Sequence, residues 1–456
     1  MQEPQALAAQ GISPSSTGLL LAVSLGLFMV QLDITVVNIA LPAIHRELHT
    51  SLSGLQWVSD AYALSFSSLM LGAGELADLY GRKRVYTIGL VVFALASLLC
   101  AISPGLVWLN VARVFQGVGA AALLPNSLAI LRHAFVDERL RARAIGLWAG
   151  ISGVSMVAGP SIGGVLVDAL GWQSIFWINL PVGLVALLLT ARTVRESHGD
   201  TQRRLDATGQ ALVTGCLASL LFALIEGHAL GWTAPPILLA GGATVLTGGL
   251  FVWWESHVTQ PLIPLAFFHR PAFAGANVAA GLMNFAVLGM LFVMSLFFQH
   301  VQGLSAAQAG MRLSLMFLPF VVLVSFGGRL VGRFGARWTS VAGLALMGIA
   351  YLGLAQVEAR TPPIAIAPWL VLAGLGLVPA MPAVVHAAIG AVPPERAGMA
   401  SAVNNTARQA SGALGIALLG GFLHLHPGGV GGVRTALLGA AIALLAGAFI
   451  AAWTIS

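Results

Sequence analysis

The sequence predicts an all-α protein that crosses a lipid bilayer many times. Of its 456 residues, 58% are hydrophobic and 8% are charged, and the mean hydropathy is +0.89. Soluble proteins have about 45–50% apolar and about 25% charged residues, so this chain has too few charges to cover a water-exposed surface. Its apolar residues form runs of about 20, the length that a helix needs to cross the hydrocarbon core. The 54 glycines suit the close packing of such helices.

Fourteen apolar runs follow one another along the chain, and their even number places both termini on the same face. No linker between them is long enough to hold a separate soluble domain. The run that begins at residue 363 is interrupted by Pro379 and Pro382. The predicted spans are 18–40, 54–75, 84–103, 107–131, 142–168, 174–192, 206–226, 234–255, 272–300, 309–330, 336–356, 363–389, 398–423 and 433–454.

The positive charges divide the loops into two groups. Most of the 22 Lys and Arg residues fall on one predicted face, and the loops of the other face hold only Arg46, Arg312, Arg360 and Arg434. Because positively charged loops stay in the cytoplasm, this distribution predicts that both termini are cytoplasmic. It therefore reflects membrane topology and not nucleic-acid binding. Low lysine and high arginine usage favours a bacterial source, and hence the inner (plasma) membrane of a bacterium.

A short charged segment at 74–84, GELADLYGRKR, separates the second run from the third. Charged side chains are costly in hydrocarbon, so this segment must lie at a membrane face. The segment 328–337, GRLVGRFGAR, repeats its pattern, with Gly335 in the place of Gly81 and Gly332 in the place of Asp78. A motif at the same point of two halves is typical of transporters that are built from repeats.

The repeated segment follows the second run in one half and the tenth run in the other, so the halves start eight helices apart. Two six-helix bundles with two extra helices between them account for this spacing. The predicted organisation is a cytoplasmic tail at 1–17, an N-terminal six-helix bundle at 18–192, a cytoplasmic linker with two inserted helices at 193–260, and a C-terminal six-helix bundle at 261–456.

Several functional classes have no support in the sequence. Lys83 is the only lysine and no P-loop motif surrounds it, so any pumping must be driven by an ion gradient. The two cysteines, Cys100 and Cys216, fall in apolar runs, which argues against a disulfide framework. The chain has no H-E-x-x-H motif and no cysteine–histidine cluster. We therefore expect a protein that is not an enzyme and holds no metal.

Four segments resemble motifs of the major facilitator superfamily, in particular of its fourteen-helix drug:proton antiporters. They are LDITVVNIALP at 32–42, the charged segment at 74–84, RVFQGVGAA at 113–121, and the stretch in the fifth helix that ends with GPSIGG at 159–164. The resemblance extends over essentially the whole chain. The charged segment is specific for the superfamily, and the fifth-helix stretch points to export.

This resemblance implies a proton-coupled multidrug and toxic-compound exporter, an antiporter that works by alternating access. Its partners would be a small amphipathic substrate, protons and the lipid bilayer. It would act as a monomer without a cofactor, with the proton gradient as its energy source. A proton-coupled uptake symporter of a small metabolite on the same fold is the alternative, and the fifth-helix motif counts against it. A receptor or channel would not need two matched cytoplasmic motifs.

Asp33 and Arg113 are ionisable residues that lie deep within predicted spans. Asp33 is either a carboxylate satisfied by a neighbouring helix or a proton site, the usual role of an acid at this depth. Arg113 requires an anionic or carbonyl partner when it is buried. It belongs either to a fixed structural pair or, as the resemblance implies, to a proton-transfer site in which it modulates a nearby acid. Asp33 is the candidate for that acid.

Polar residues near this pair are candidates for the substrate cavity. Gln31 and Asn38 share one face of the first helix, and Asp33 lies on the roughly opposite face, so the three cannot line one cavity together. Gln116 lies on the same helical face as Arg113, one turn further along.

Four candidates for the substrate cavity lie elsewhere. Asn404 and Arg408 share a face of the thirteenth helix, which is either a polar seam between helices or a cavity lining. Asp60 and Glu226 lie near outer helix ends, where an acid either draws cations towards the cavity or is simply solvated.

The charged segment also predicts a conformational latch made by Gly74, Asp78, Gly81 and Arg82. The glycines permit a tight turn, and Asp78 is expected to pair with Arg82 or with a helix N-terminus. Because Gly332 replaces the acid in the repeated segment, any latch there must be weaker or different.

Small residues recur along the fifth helix. Gly146 with Gly150, and Gly159 with Gly163, have the small-xxx-small spacing that allows tight helix packing. Pro160 permits a bend because it lacks a backbone donor. The resemblance implies an antiporter motif that closes the transporter against proton leak, made by Gly159, Pro160, Gly163 and Gly164.

Overall fold

The computed structural model describes residues 14–199, 205–393, 396–425 and 429–455, which form helices and turns with no β-strand among them. Residues 1–13 of the predicted tail and 200–204 of the predicted linker lie outside the described residues. The helices are α1 (Pro14–Leu48), α2 (Leu52–Tyr80), α3 (Arg82–Ala101), α4 (Leu106–Ala134), α5 (Glu138–Leu170), α6 (Ser174–Trp177), α7 (Asn179–Thr193), α8 (Ala207–Leu230), α9 (Pro235–His257), α10 (Pro271–Leu296), α11 (Ala306–Leu354), α12 (Pro363–Gly390), α13 (Ala397–Gly421) and α14 (Val430–Thr454), with short helical turns at Leu265–His269, Phe297–Val301 and Phe422–Leu425.

Several helices begin at a side chain that caps their first turn. Ser51 accepts a hydrogen bond from the backbone of Gly54 at the start of α2, and Asp137 caps α5 in the same way. Ser305 starts α11 with a capping box that includes Gln308. These caps satisfy backbone N–H groups that have no partner within the helix.

The predicted count of fourteen spans is not confirmed. Eleven helical stretches of the described chain are long and apolar enough to cross a bilayer. The polar helices α2 and α13, with 29 and 25 residues, are not among them. Helix α11 has 49 residues, or about 73 Å at 1.5 Å per residue, and Gly335 interrupts it with a φ of 77°. A hydrocarbon core is about 30 Å thick, so α11 covers two of the predicted runs.

The ends of the helices lie on two faces. The turn between α2 and α3 meets the segment after α7 on one face, where Arg270 also donates to the carbonyl of Ala391. We call this the basic face, because it carries most of the predicted cytoplasmic loops and these loops hold most of the Lys and Arg residues. On the opposite face, the end of α5 meets the start of α11, and Gln173 donates to Glu47.

The helices pack as two bundles with a hairpin between them in sequence. The N-terminal bundle comprises α1 to α7, and the C-terminal bundle comprises α10 to α14. Helices α8 and α9 form the inserted hairpin and are joined by a 3.0 Å hydrogen bond between Ser219 and Thr244. The bundles meet mainly where α5 packs on α11 and α2 packs on α13, and α8 lies against both α2 and α13.

Candidate functional site

A buried ion pair lies inside the N-terminal bundle. Arg113 on α4 donates from Nη1 to Oδ2 of Asp33 on α1, and neither side chain is more than 1% exposed. Nε of Arg113 donates to the carbonyl of Val58 on α2, 2.9 Å away. The guanidinium carbon lies 4.4 Å from the ring centroid of Tyr62. Three helices therefore hold the pair and shield it from water.

Gln116 completes the hydrogen-bond network of the pair. Its Nε2 donates to Oδ1 of Asp33 at 2.9 Å, and its Oε1 accepts from Nη1 of Arg113 at 2.7 Å. The same Nε2 donates to Oγ of Ser97 on α3, at 2.9 Å. Both carboxylate oxygens of Asp33 therefore have a donor, as a buried carboxylate requires.

This network makes it costly to separate Asp33 from Arg113 while both side chains are charged. Separating Asp33 from Arg113 would leave two uncompensated charges in the protein interior, and each is costly. A proton on Asp33 would remove one of those charges and so lower the cost of separating the pair. The geometry joins the two residues that the sequence analysis paired, and their role in proton transfer stays a prediction.

Hydrogen bonds join the two bundles near the opposite face. Nε2 of Gln56 on α2 donates to the carbonyl of Ala417 on α13 at 2.8 Å. Oγ of Ser295 on α10 donates to the carbonyl of Asn38 on α1. Such contacts, made by buried side chains, close the space between the bundles at this face.

Asp168 adds a charged contact to this closure. Its carboxylate, at the end of α5, accepts hydrogen bonds from the backbone N–H groups of Ala306 at 3.0 Å and Ala307 at 2.9 Å. These N–H groups begin α11, and a carboxylate is favourable at a helix N-terminus. The N-terminal bundle thus caps a helix of the C-terminal bundle.

The glycines of the fifth-helix motif face α1. A Cβ added to Gly159 would overlap the side chain of Thr35, and one added to Gly163 would overlap the side chain of Val36. The absence of side chains at these two positions therefore lets α5 approach α1 closely.

The rest of the motif faces α11 of the other bundle. A Cβ on Gly164 would overlap the backbone of Ala306, and a Cβ on Gly310 would overlap the carbonyl of Pro160. The motif therefore lies where α1, α5 and α11 meet, at the contact between the bundles. Gly146 and Gly150 differ, because a Cβ on either would meet nothing within 4 Å, so the expectation that they pack tightly is wrong.

A cavity of about 290 Å³ lies between the bundles near the basic face. Its walls come from α2, α4 and α5 of the N-terminal bundle and from α13 of the C-terminal bundle. Its polar lining residues are Glu75, Asp78, Arg82, Asn126, Arg132, Ser401 and Asn405, and its larger apolar ones include Met70, Trp148 and Met399. This cavity therefore lies on the basic side of the contacts that join the two bundles.

The acid–base pair of the predicted latch lies at the edge of this cavity, and its role as a latch stays a prediction. Oδ1 of Asp78 accepts from Nη2 of Arg82 at 2.8 Å and from its Nε at 3.0 Å. Gly81, between α2 and α3, has a φ of 105°, which glycine adopts readily. Gly74 lines the cavity beside Asp78.

Glu196 occupies the helix N-terminus that was the alternative partner of Asp78. Its two carboxylate oxygens accept from the backbone N–H groups of Lys83 at 2.9 Å and Arg84 at 3.1 Å, at the start of α3. The backbone of the same segment bonds to α2, since the N–H of Gly199 donates to the carbonyl of Asp78. The segment after α7 therefore holds the turn between α2 and α3 through hydrogen bonds to its backbone.

The repeated segment in α11 shares the turn but not the ion pair. Gly335 has a φ of 77°, matching the positive φ of Gly81. Arg333 and Arg337 instead lie over the rings of Phe334 and Trp338, at 5.3 and 5.1 Å from the centroids. The repeat thus preserves the backbone geometry and replaces the acid–base contact by cation–aromatic contacts.

Comparison with known proteins decides the family. The family model described as "Major Facilitator Superfamily" matches residues 23–416, with a second match at 278–456. The chain belongs to the Major Facilitator Superfamily. It is therefore a membrane transporter and not an enzyme.

The superfamily relatives include proteins named for drug resistance. The chain is 39% identical over 432 residues to the methylenomycin A resistance protein of Streptomyces coelicolor, covering 95% of this chain and 90% of the relative. It is 40% identical over 408 residues to the multidrug resistance protein Stp of Mycobacterium tuberculosis, covering 89% and 75%. Other relatives are named as export or efflux proteins. A crystal structure of a bacterial homologue of the human lysosomal transporter Spinster shares the fold, with a TM-score of 0.68, 18% identity and 98% coverage of each chain.

One motif typical of hydrolases occurs in the sequence, but its surroundings differ from those in a hydrolase. The segment Gly159–Gly163 matches the G-x-S-x-G pattern of hydrolases, but it lies within α5, and Oγ of Ser161 donates to the carbonyl of Val157. A hydrolase serine instead sits on a strand-to-helix turn. Among the described residues, no group of three or more His, Cys, Asp and Glu side chains is arranged to hold a metal ion.

None of the seven residues predicted for the substrate cavity lines the cavity near the basic face. Gln116 belongs to the ion-pair network, Asn38 lies at the contact with α10, and Gln31 is partly exposed. Asp60 is fully buried on α2, and no hydrogen bond reaches either of its carboxylate oxygens from the described residues. Burial contradicts the interpretation of Asp60 as a solvated acid.

The other three candidates make contacts between helices. Nδ2 of Asn404 donates to Oδ1 of Asn277 on α10 at 3.2 Å, and the backbone carbonyl of Arg408 accepts from Asn284 at 2.7 Å. These contacts favour the polar-seam interpretation of α13. Glu226 on α8 accepts from Nε1 of Trp57 on α2 at 2.8 Å. A role for these residues in substrate binding stays a prediction.

Sequence reasoning missed Asp168 and Glu196, which both bind N-termini of other helices. Asp168 carried a signal, because an acid in the last turn of a helix is unfavourable to that helix and suggests a partner elsewhere. Glu196 carried none, since an acid in a polar linker is ordinarily solvated.

Proposed function

We propose that the protein is a proton-coupled exporter of small amphipathic drugs and toxic compounds. It exchanges substrate for protons by alternating access between the N-terminal and C-terminal bundles. The observation that carries this proposal is the buried Asp33–Arg113 pair, a titratable group held by three helices within the bundle that faces the cavity.

The arrangement of open and closed faces supports the transport cycle. Substrate from the cytoplasm enters the cavity near the basic face while Asp168 and the α5 motif keep the opposite face closed. Binding of a proton to Asp33 from the other side releases Arg113 and lets the bundles change their contacts. The names of the relatives support drugs or antibiotics as the cargo and export as the direction.

The proposed topology keeps fourteen spans, with α2, α13 and both parts of α11 each crossing the bilayer. The basic face is then cytoplasmic, as the positive-inside rule requires, and both termini lie there. The protein acts as a monomer in the inner membrane of a bacterium.

The test is transport of ethidium in proteoliposomes with an imposed pH gradient. We expect gradient-driven movement by the wild type, and exchange of labelled dye without net gradient-driven movement by Asp33→Asn. Neutral amphipathic compounds are assayed in parallel. Export of these compounds without ethidium would restrict the cargo to neutral molecules. Transport that does not depend on the gradient in the wild type would contradict proton coupling.

A further inference from the structure

Four histidines form two ring-to-ring contacts at the opposite face. His45 at the end of α1 lies 5.6 Å, centroid to centroid, from His300 in the turn after α10. His228 at the end of α8 stacks on His424 in the turn after α13, at 5.7 Å and an interplanar angle of 12°. In each pair one ring belongs to the C-terminal bundle and the other does not. Both contacts therefore cross a boundary between parts that must separate if this face opens.

Three of the four rings line a largely apolar cavity. His45, His300 and His424 line one cavity of about 350 Å³ whose other lining residues are almost all apolar, including Leu55, Phe297 and Val433. Nδ1 of His45 is buried and has no hydrogen-bond partner among the described residues. An apolar cavity stabilises two neutral rings in contact and penalises two imidazolium ions.

Neighbouring charges of both signs surround the rings. They are Arg46 and Glu47 on α1, Glu226 on α8, Arg312 on α11 and Arg434 on α14, with Asp60 deeper on α2. Glu47 and Glu226 each already accept a hydrogen bond, from Gln173 and from Trp57 respectively.

His424, which lies outside the spanning helices, illustrates the sign of the effect. Burial and the neighbouring His228 lower the pKa of His424, against opposing contributions from the Gly421 backbone and Glu226. A histidine whose pKa is lowered in the closed arrangement stabilises that arrangement while it is neutral. The stabilisation is present above the ordinary histidine pKa of about 6.5 and is lost as the pH falls.

We propose that the two histidine pairs form a proton-binding lock, in which neutral rings hold the opposite face closed and protonation opens it. The lock rests on the proposed alternating access and on the opposite face being extracellular, where the proton gradient makes the solution acidic. It is separate from Asp33, because it acts on the closure of the face and not on the ion pair inside the bundle. Acid outside thus opens the protein towards the side from which protons enter.

The test measures the opening of the face without requiring transport. Spin labels are placed on the full-length protein with Ile102→Cys in the N-terminal bundle and Glu358→Cys in the C-terminal bundle, two exposed positions at this face. Cys216→Ser removes the more accessible native thiol, and Cys100 is buried. Distances between the labels are recorded in lipid nanodiscs from about pH 7.5 to about pH 5.5, across the titration range of histidine.

We expect the ratio of long to short distances to rise roughly tenfold or more over this range, because each proton excluded from the closed form changes the ratio up to about tenfold per pH unit. His45→Gln/His424→Gln should abolish most of this rise. His300→Gln/His228→Gln, which replaces the other ring of each pair, should do the same and guards against misfolding of one variant. The control His257→Gln, on α9 and not in contact with another histidine, should respond like the wild type.

Two outcomes would overturn the lock: a wild type whose distances do not change with pH, or paired-histidine variants that keep the wild-type response. Failure of the proposed function looks different. A protein whose labels respond to pH through these histidines, but which moves no compound against a gradient, would retain the lock and lose the exporter proposal.

Discussion

Replacement of Asp33 by asparagine tests whether the buried pair is structural or couples transport to protons. Asp33→Asn keeps the shape of the side chain and removes its charge. Arg113, 1% exposed, would keep the carbonyl of Val58 and Oε1 of Gln116 as acceptors but would lose the one anionic partner that it has among the described residues. A buried guanidinium without a counter-charge would then remain in the bundle.

The expected cost follows from this geometry. Removing one partner of a buried ion pair destabilises a protein by about 3–5 kcal/mol, whereas replacing both partners by neutral groups is often nearly neutral. At about 1.4 kcal/mol per factor of ten, the single variant should shift the folding equilibrium by roughly 10² to 10⁴. The double variant Asp33→Asn/Arg113→Gln should recover most of that loss.

The assay compares wild type, both single variants and the double variant in two measurements. Thermal unfolding in detergent reports stability, and ethidium movement in proteoliposomes with and without a pH gradient reports coupling. We expect the double variant to regain stability and to exchange dye without responding to the gradient. This result would show that the pair is needed for coupling transport to the pH gradient and not only for the stability of the fold.

One result would refute this reasoning. If the double variant recovers gradient-driven transport together with stability, the pair is a fixed structural element and the coupling acid lies elsewhere. Asp60, which has no hydrogen-bond partner among the described residues, is then the first candidate. A single variant as stable as the wild type would contradict the electrostatic argument itself.

Three further substitutions test the contact between α5 and α11, the ion pair of Asp78 with Arg82, and the turn at Gly335. Gly164→Ala should lower stability by about 1–3 kcal/mol and impair transport, because its Cβ would overlap the Ala306 backbone. Gly150→Ala, with open space around it, is the matched control. Equal melting temperatures for the two variants would contradict a tight contact between α5 and α11. Asp78→Asn should slow transport with little change in melting temperature, since its partly exposed pair with Arg82 is worth about 0.2–1 kcal/mol; unaltered transport rates would remove the latch role. Gly335→Ala should lower stability by about 1–2 kcal/mol because of the positive φ of Gly335, whereas Gly332→Ala should be tolerated. Thermal unfolding measures both variants, and equal melting temperatures would contradict this expectation.

The helices could be predicted because they follow from local sequence patterns. The central pair could be predicted because a buried arginine has a specific chemical requirement. An apolar run of membrane length has few alternatives to a helix, since its backbone must be satisfied internally. Arg113 needs an anionic or carbonyl partner when buried, and Asp33 lies in the middle of an apolar run of the same half. Gly335 takes the place of Gly81 in the repeated segment, and both residues have a positive φ.

Features that depend on which helices become neighbours could not be predicted. Gly146 and Gly150 have the same spacing as Gly159 and Gly163, yet only the second pair meets another helix. A helical wheel places Asn404 and Arg408 on a face but does not say that α10 covers it. Glu196 binds α3 more than a hundred residues away along the chain, and no local pattern marks such a contact.

The inserted hairpin is attached unequally to the two bundles. Its helix α8 makes directional hydrogen bonds with α2, through Gln210 to Ser68 and through Glu226 to Trp57. Against α13 it presents apolar side chains such as Leu221 and Ile225, which meet the small residues Ala413 and Ala417. Hydrogen bonds fix a relative position, whereas contacts with small apolar residues allow sliding. In the proposed alternating access we therefore expect the hairpin to move with the N-terminal bundle, and α8 to slide along α13.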